Sequence, residues 1–271
     1  MKDIAIYLNE HFDIILQGGQ SNAQGCGYGP VVDTDEYMPD GDILYMVNAC
    51  PDDPNVPAEP LDGFSIEVAG ERMLDSMERS DLTERKVNDF SLSFAKLYRQ
   101  RCLRAGRKVL ILRTAVGGTG WIDKRWGMTD DLYLNMMRMA GAALGLNKEN
   151  RLAAFIWHQG ETDAGTPRGD HYDNLSRLVN SVRDTFGCPD LPFIAGDFVS
   201  EWKNKNLGAC EPVVEAIRGV CAGPRGAFVE TYGLKSNNLE HGDGDDIHFS
   251  RNALNKLGSR YFEAYLKIVG L

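Results

Sequence analysis

Three side chains in the sequence have the types and the spacing of a group that performs acyl transfer. Ser21 follows a short apolar run and lies in the glycine- and amide-rich stretch GGQSNAQG. Far along the chain, Asp245 and His248 are three residues apart, so both side chains can point the same way across one turn. A serine hydroxyl attacks an ester when a neighbouring base takes its proton, and a histidine oriented by a carboxylate is such a base. The set predicts nucleophilic catalysis by Ser21.

Two further stretches carry groups that could stabilise an oxyanion or bind substrate. The backbone N–H of Gly118 in VGGTGW and the side-chain amide of Gln159 in WHQGETD are candidate oxyanion donors. Trp121 is predicted to form a stacking surface for a sugar, with core packing as the alternative. Glu161 is predicted to orient Gln159 or to bind a sugar hydroxyl, with a structural salt bridge as the alternative.

These stretches follow segments that are predicted to be strands of one sheet. The apolar runs are continuous rather than alternating, as in strands that are covered on both faces, and they span residues 13–18, 108–115, 152–160 and 192–199, with a weaker one at 226–233. Helical patterns alternate with these runs. The alternation predicts an α/β fold, a three-layer α/β/α sandwich around a flavodoxin-like parallel sheet. Ligands bind at the carboxyl ends of such strands, where the candidate residues are found.

The length of 271 residues is accounted for by a single domain, 1–271. Residues 50–88 are rich in proline and acidic side chains and are predicted to form an excursion over the surface. The six cysteines are scattered without a CxxC pair, which favours reduced thiols over a disulfide framework.

The charge of the chain bears on its partners. A net charge of -10 repels nucleic acid and anionic membranes, so we expect neither as a partner. No apolar run is long enough to span a bilayer, and the N-terminal stretch MKDIAIYLNEHFD is charged where a signal peptide would be apolar. The expected location is the cytoplasm, although a secreted chain with its signal removed would look the same. The oligomeric state is left open.

Four blocks, GGQSNAQG, VGGTGW, WHQGETD and DDIHFS, resemble the SGNH or GDSL-like serine hydrolases. Within them the chain is similar to the sialate O-acetylesterase-like and acetylxylan-esterase-like carbohydrate esterases. The resemblance implies the SGNH hydrolase fold and a carbohydrate O-acetylesterase that needs neither cofactor nor metal. It also implies Ser21 as the nucleophile, Asp245 and His248 as acid and base, and an oxyanion hole of the Ser21 N–H, Gly118 and Gln159.

Three details qualify the resemblance. The first block reads Gly-Gln-Ser-Asn instead of the commoner Gly-Asp-Ser, and Gln159 stands where an asparagine is usual. Both are features of the carbohydrate-esterase branch. Asp246 stands where this branch often has glycine, so a second carboxylate competes to orient the histidine. We expect Asp245 to do so because it has the better spacing.

The same residues are also compatible with other functions. The same residues could hydrolyse another short-chain, aryl or lipid ester, or the chain could bind carbohydrate without catalysis. A peptidase of the α/β-hydrolase kind has the same order of serine, aspartate and histidine, but its nucleophile lies well inside the chain. The acidic loop at residues 243–246 lacks the downstream ligands of a calcium loop, and Gly117 and Gly118 lack the lysine of a phosphate-binding loop.

Overall fold

The computed structural model describes residues 4–28, 40–48, 63–70, 72–73 and 86–271. A 3₁₀ helix at Ile4–Tyr7 precedes the first strand. The strands are β1 (Phe12–Gly19), β2 (Ile43–Asn48), β3 (Phe64–Val68), β4 (Arg72–Met73), β5 (Lys86–Val87), β6 (Lys108–Arg113), β7 (Arg151–His158), β8 (Phe193–Gly196) and β9 (Gly226–Val229). The helices are α1 (Ser21–Gln24), α2 (Ser91–Arg101), α3 (Asp131–Gly145), α4 (Arg168–Thr185), α5 (Ser200–Lys205), α6 (Leu207–Cys221), α7 (Asn237–His241) and α8 (Arg251–Val269).

Seven strands form the main sheet, in the order β3-β2-β6-β1-β7-β8-β9. Neighbouring strands run parallel except for β2 and β3, which are antiparallel. The strand β1 lies in the middle, between two strands that come later in the chain. In such a sheet the order reverses at this point and leaves a crevice at the carboxyl ends of the strands. Ser21 follows β1 directly and therefore lies at that crevice.

Alternate residues of β1 pack into two separate cores. Ile14 and Leu16 are fully buried in a cluster with Met136 of α3, whereas Ile15 is fully buried in a second cluster with Phe94 of α2. Helices α3, α4 and α6 cover the first face of the sheet, and α2 and α8 cover the second. Because both faces are covered, every residue of β1 is buried. The predicted three-layer α/β/α sandwich is confirmed.

A buried ion-pair network fixes the end of β1 opposite to Ser21. Asp13 is fully buried and accepts hydrogen bonds from Tyr98 Oη (2.7 Å), Arg107 Nε (2.6 Å) and Arg151 Nε (2.8 Å). Burial alone would raise the pKa of Asp13, but these donors outweigh it and hold the pKa below its ordinary value. The start of the central strand is therefore tied to α2, to the turn before β6 and to β7.

The structure corrects the predicted organisation at two places. Strand β2 (Ile43–Asn48) lies inside the main sheet, between β3 and β6, but it was not among the predicted strands. Residues 64–68 belong to the predicted surface excursion, yet they form the edge strand β3 of the main sheet. This strand is covered on one side only, and its buried residues alternate at its start, so it lacks the continuous apolar run of the central strands. The rest of the excursion lies largely outside the described residues. Among the helices that the structure describes, none is both long and apolar enough to cross a membrane.

Candidate active site

A sharp turn at the end of β1 presents Ser21. Gly19 has a φ of +131°, and a Cβ atom at this position would overlap the carbonyl oxygen of His158, so only glycine fits. The Gln20 N–H donates to the same carbonyl oxygen at 3.0 Å. The chain then turns directly into the four-residue helix α1, whose first residue is Ser21. A residue that begins a helix has no acceptor for its N–H inside that helix, and the described residues offer the Ser21 N–H no other backbone acceptor, so it can bind an oxyanion.

Asp245 and His248 form the predicted pair. Nδ1 of His248 lies 2.9 Å and 3.0 Å from the two carboxylate oxygens of Asp245. Burial alone would raise the pKa of Asp245, but hydrogen bonds from His248 and Asn237 and the charge of His248 bring the pKa below its ordinary value. An ionised Asp245 holds the proton of His248 on Nδ1 and leaves Nε2 as the basic nitrogen.

The neighbouring carboxylate faces elsewhere. Oδ2 of Asp246 pairs with the exposed Nζ of Lys205 at 2.8 Å, which turns it away from the histidine. Asp245 is further fixed by Asn237, whose Nδ2 donates to Oδ2 of Asp245 and to the carbonyl oxygen of Cys26, both at 2.9 Å. In the structure it is Asp245, the carboxylate that the sequence favoured, that contacts His248, while Asp246 contacts Lys205.

Asn22 joins the serine turn to the histidine segment. Its Nδ2 donates to the carbonyl oxygen of Ile247 at 3.0 Å, and its Oδ1 accepts from the N–H of Phe249 at 3.0 Å. These two residues flank His248. The second Nδ2 hydrogen is donated to Oε1 of Glu161 at 2.8 Å. Asn22 is fully buried, and its hydrogen bonds place the segment of His248 against the residue that follows Ser21.

The two predicted oxyanion donors differ in availability. Gly118 has a φ of +70°, no atom lies within 4 Å of a Cβ built on it, and its N–H has no acceptor among the described residues. Gln159 is fully buried, and its Nε2 donates to Oδ2 of Asp163 at 2.7 Å and to the carbonyl oxygen of Thr119 at 3.2 Å. Both amide hydrogens of Gln159 are thus used within the protein. Its role as an oxyanion donor stays a prediction.

Comparison with known proteins identifies the family of the chain. Residues 11–267 match the family described as "Carbohydrate esterase, sialic acid-specific acetylesterase". The chain belongs to this family. It is therefore a carboxylic ester hydrolase that acts on acetylated carbohydrate, as the sequence predicted. No curated protein matches the sequence.

Solved structures show the fold that this acetylesterase shares. The chain is similar to NanS, with 18% identity, a TM-score of 0.75 and coverage of 96% of this chain and 98% of the other. It is also similar to a protein from Arabidopsis thaliana, with 21% identity, a TM-score of 0.71 and coverage of 95% and 98%. A carbohydrate acetylesterase from Xanthomonas citri has 19% identity and a TM-score of 0.64, over 96% of this chain and 57% of the other.

The predicted substrate-binding residues of the acetylesterase are more buried than the sequence suggested. The ring of Trp121 packs 5.8 Å from Trp157 and 5.1 Å from His171, centroid to centroid, and is only partly exposed. Glu161 is 5% exposed and bonds to Asn22 rather than to Gln159. The predicted roles of Glu161, orienting Gln159 or binding a sugar hydroxyl, do not match this position. Sugar contact by Trp121 stays a prediction.

Sequence reasoning missed the residue that anchors the second block of the acetylesterase. Asp163 is fully buried and accepts hydrogen bonds from the backbone N–H groups of Trp121 (3.2 Å) and Ile122 (3.0 Å), as well as from Gln159. It thereby ties the loop that carries Gly118 to the loop after β7. The available signal in the sequence was an aspartate two residues after the WHQGE segment. Asn22 and Asn237 gave none, because their partners lie more than 200 residues away or in an irregular segment.

In the described part of the chain, no cluster of three or more histidine, cysteine, aspartate or glutamate side chains is placed to hold a metal ion. In the acidic loop, Oδ1 of Asp243 accepts from the N–H of Asp245 at 3.0 Å, which is a local turn of the backbone. Independence from metal and cofactor stays a prediction.

Proposed function

We propose that the protein removes O-acetyl groups from a carbohydrate through an acetyl-enzyme intermediate on Ser21. The observation that carries this proposal is the Asp245–His248 pair, held beside the serine turn by Asn22. Family membership supplies the reaction class, and the geometry supplies a role for each side chain.

The first half-reaction forms the acetyl-enzyme. Nε2 of His248 takes the proton of the Ser21 hydroxyl as Oγ attacks the carbonyl carbon of the acetyl ester. The negative charge that develops on the carbonyl oxygen is stabilised by the N–H groups of Ser21 and Gly118. When the tetrahedral intermediate collapses, the C–O bond to the sugar breaks, and His248 returns the proton to the departing sugar hydroxyl.

The second half-reaction releases acetate. Water enters, His248 takes one of its protons, and the resulting hydroxide attacks the acetyl carbon on Ser21. Collapse of this second intermediate expels the serine alkoxide, which regains its proton from His248. Asp245 keeps the imidazole in the required tautomer and stabilises its cationic form throughout.

The test combines labelling with a substrate panel. A fluorophosphonate should label the chain stoichiometrically on Ser21, and Ser21→Ala should abolish both labelling and hydrolysis of acetylated sugars. Short-chain nitrophenyl esters and a long-chain lipid ester complete the panel, because hydrolysis of the lipid ester alone would favour the alternative substrate class. Full activity of Ser21→Ala would exclude Ser21 as the nucleophile.

A further inference from the structure

Two buried titratable side chains next to the serine turn take no part in the mechanism above. His158 ends β7 and is fully buried, and Glu161 is 5% exposed in the loop that follows. Nε2 of His158 lies 3.9 Å from Oε1 of Glu161. The same loop contacts the nucleophile turn, because Asn22 donates to Glu161. The pair is therefore placed to influence the catalytic residues without touching substrate.

The hydrogen bonds of His158 determine its tautomer. The hydroxyl of Tyr261 donates to the carbonyl oxygen of Trp157 at 2.9 Å, so its oxygen is left to accept a hydrogen bond. Nδ1 of His158 lies 3.0 Å from that oxygen and must carry the proton. Nε2 is consequently an acceptor, and it is buried without a hydrogen-bond partner among the described residues. Burial lowers the pKa of His158 to about 3, which keeps the ring neutral.

Glu161 also has a buried atom without a hydrogen-bond partner among the described residues. Its Oε1 accepts the hydrogen bond from Asn22 at 2.8 Å, while its Oε2 is buried with no partner in the described structure. Burial raises the pKa of Glu161 above its ordinary value, because its hydrogen bonds do not replace the lost solvation of the carboxylate. A protonated carboxyl has an O–H to donate, and His158 has a bare acceptor nearby. Because the oxygen 3.9 Å from Nε2 of His158 is Oε1, which accepts from Asn22, a proton on Oε2 reaches Nε2 after a small rotation of the carboxyl group.

We propose that Glu161 is a positioning residue that works as a neutral carboxyl group, accepting a hydrogen bond from Asn22 and donating its own proton to His158. Asn22, held in this way, presents its remaining N–H to Ile247 and its oxygen to Phe249, the two neighbours of His248. Glu161 thereby fixes the base relative to the nucleophile. The inference rests on the proposed roles of Ser21 and His248.

The competing role is electrostatic. An ionised Glu161 would stabilise the imidazolium of His248 through its charge, as a second carboxylate behind Asp245. The two roles separate in Glu161→Gln, because glutamine keeps an oxygen for Asn22 and an N–H for His158 but can never carry a charge. Rescue by glutamine therefore identifies the neutral role, and failure of rescue identifies the charged one.

The experiment compares Glu161→Gln with Glu161→Ala in the full-length chain, with an acetylated sugar as substrate. We expect Glu161→Gln to keep kcat within about threefold of the wild type. Glu161→Ala should lose about 10- to 100-fold in kcat with KM within about twofold, since displacement of a catalytic group by about 1 Å has effects of that order. Equal, large losses in both variants would overturn the neutral role, and full activity in both would overturn any positioning role.

A matched control lies at the other end of the same strand. Asp13→Asn also replaces a buried carboxyl by an amide, but its partners are Arg107, Arg151 and Tyr98. We expect this variant to melt at a lower temperature while kcat, measured below its melting range, is unchanged. A fall in kcat equal to that of Glu161→Ala would mean that loss of stability alone explains the effect, and the proposal would be overturned.

A spectroscopic measurement decides the matter even if Glu161→Ala does not fold. In ¹⁵N-histidine-labelled wild-type protein, the signals of His158 are recognised by their shift in Glu161→Gln. We expect protonated Nδ1, Nε2 as a hydrogen-bond acceptor, and no change between pH 8 and pH 5. A proton on Nε2 or a cationic ring in this range would overturn the proposal. If Ser21→Ala instead keeps full activity, it is the proposed function that fails.

Discussion

The N–H of Phe249 donates to the side-chain oxygen of Asn22 at a distance of 3.0 Å, although the two residues are 227 positions apart in the chain. With the bond from Asn22 to the carbonyl oxygen of Ile247, it encloses His248 from both sides. One amide side chain thus sets the spacing between the proposed nucleophile, Ser21, and the proposed base, His248. This arrangement leads to the first prediction.

Replacing Asn22 by alanine should lower kcat by about 100-fold, because the His248 segment loses both attachments to the serine turn. The matched control is Asn150→Ala. Asn150 also joins distant segments, accepting from the Phe12 N–H at 2.7 Å and donating to the carbonyl oxygen of Ala143 at 2.8 Å, but at the far end of β1. Steady-state kinetics should show an unchanged kcat for Asn150→Ala despite a lower melting temperature. Equal loss of kcat in both variants would contradict the prediction.

Asp245→Asn should be far more harmful than Asp246→Asn. Asparagine at 245 still contacts His248 but favours the wrong tautomer, and the loss in turnover can reach roughly 10⁴-fold if the dependence is that of a serine protease. Asp246 pairs with the exposed Lys205, so its replacement should change kcat by no more than about tenfold. Rates of acetyl-ester hydrolysis, with thermal melts to confirm folding, provide the measurement. If Asp246→Asn is nearly inactive and Asp245→Asn is active, then Asp246 rather than Asp245 orients His248.

Gly19→Ala should abolish activity and strongly destabilise the protein. The new Cβ would overlap the carbonyl oxygen of His158, and the backbone would have to leave a φ of +131°. The control Gly41→Ala adds a methyl group where nothing lies within 4 Å, so its free energy of unfolding should change by less than about 1 kcal/mol. Denaturant unfolding of both variants is the test, and a stable, active Gly19→Ala would show that the turn can relax.

The free energy of unfolding should fall as the pH falls below about 6.5, and His171 should account for part of the fall. Burial lowers the pKa of His171 to about 4, so between these two values the unfolded chain binds a proton that the folded protein does not. Stability in this window therefore increases with pH. His171→Gln should reduce the slope, by at most about 1.4 kcal/mol per pH unit. Denaturant titrations at pH 7, 6 and 5 measure the slope, and identical slopes in the two proteins would contradict the assignment.

Four of the five interior strands of the main sheet could be predicted because their surroundings are the simplest, and β2 is the exception. β1, β6, β7 and β8 lie inside the sheet and are covered by helices on both faces, so their apolar runs are continuous. β3 was not predicted because it is an edge strand with only one neighbour, and it lies inside a stretch whose composition is typical of a surface segment. A strand of this kind is defined by its partner β2 rather than by its own sequence.

The candidate site also contains some residues that the sequence could predict and others that it could not. Asp245 and His248 could be proposed because they are three residues apart, and Ser21 because it follows the first apolar run in a glycine-rich stretch. The amide of Gln159 was predicted to face the substrate, but Asp163 and the Thr119 carbonyl take its hydrogens. That outcome depends on which polar groups become buried together, and a linear sequence does not state it. The same holds for Asn237, which joins Cys26 and Tyr28, more than 200 residues away, to Asp245.

His248 lies just before α8, so it is the last of the proposed catalytic residues to be synthesised. Ser250 caps this helix by accepting from the Ala253 N–H, two residues after His248, and the helix packs against α2 on one face of the sheet. Ser21 and Gly118 are synthesised well before His248. Helix α8 also supplies buried residues to one of the two cores, among them Leu254, Leu257 and Phe262. A nascent chain that has not reached residue 248 therefore lacks both the proposed base and the helix that completes this core, so the proposed site and the fold are completed together.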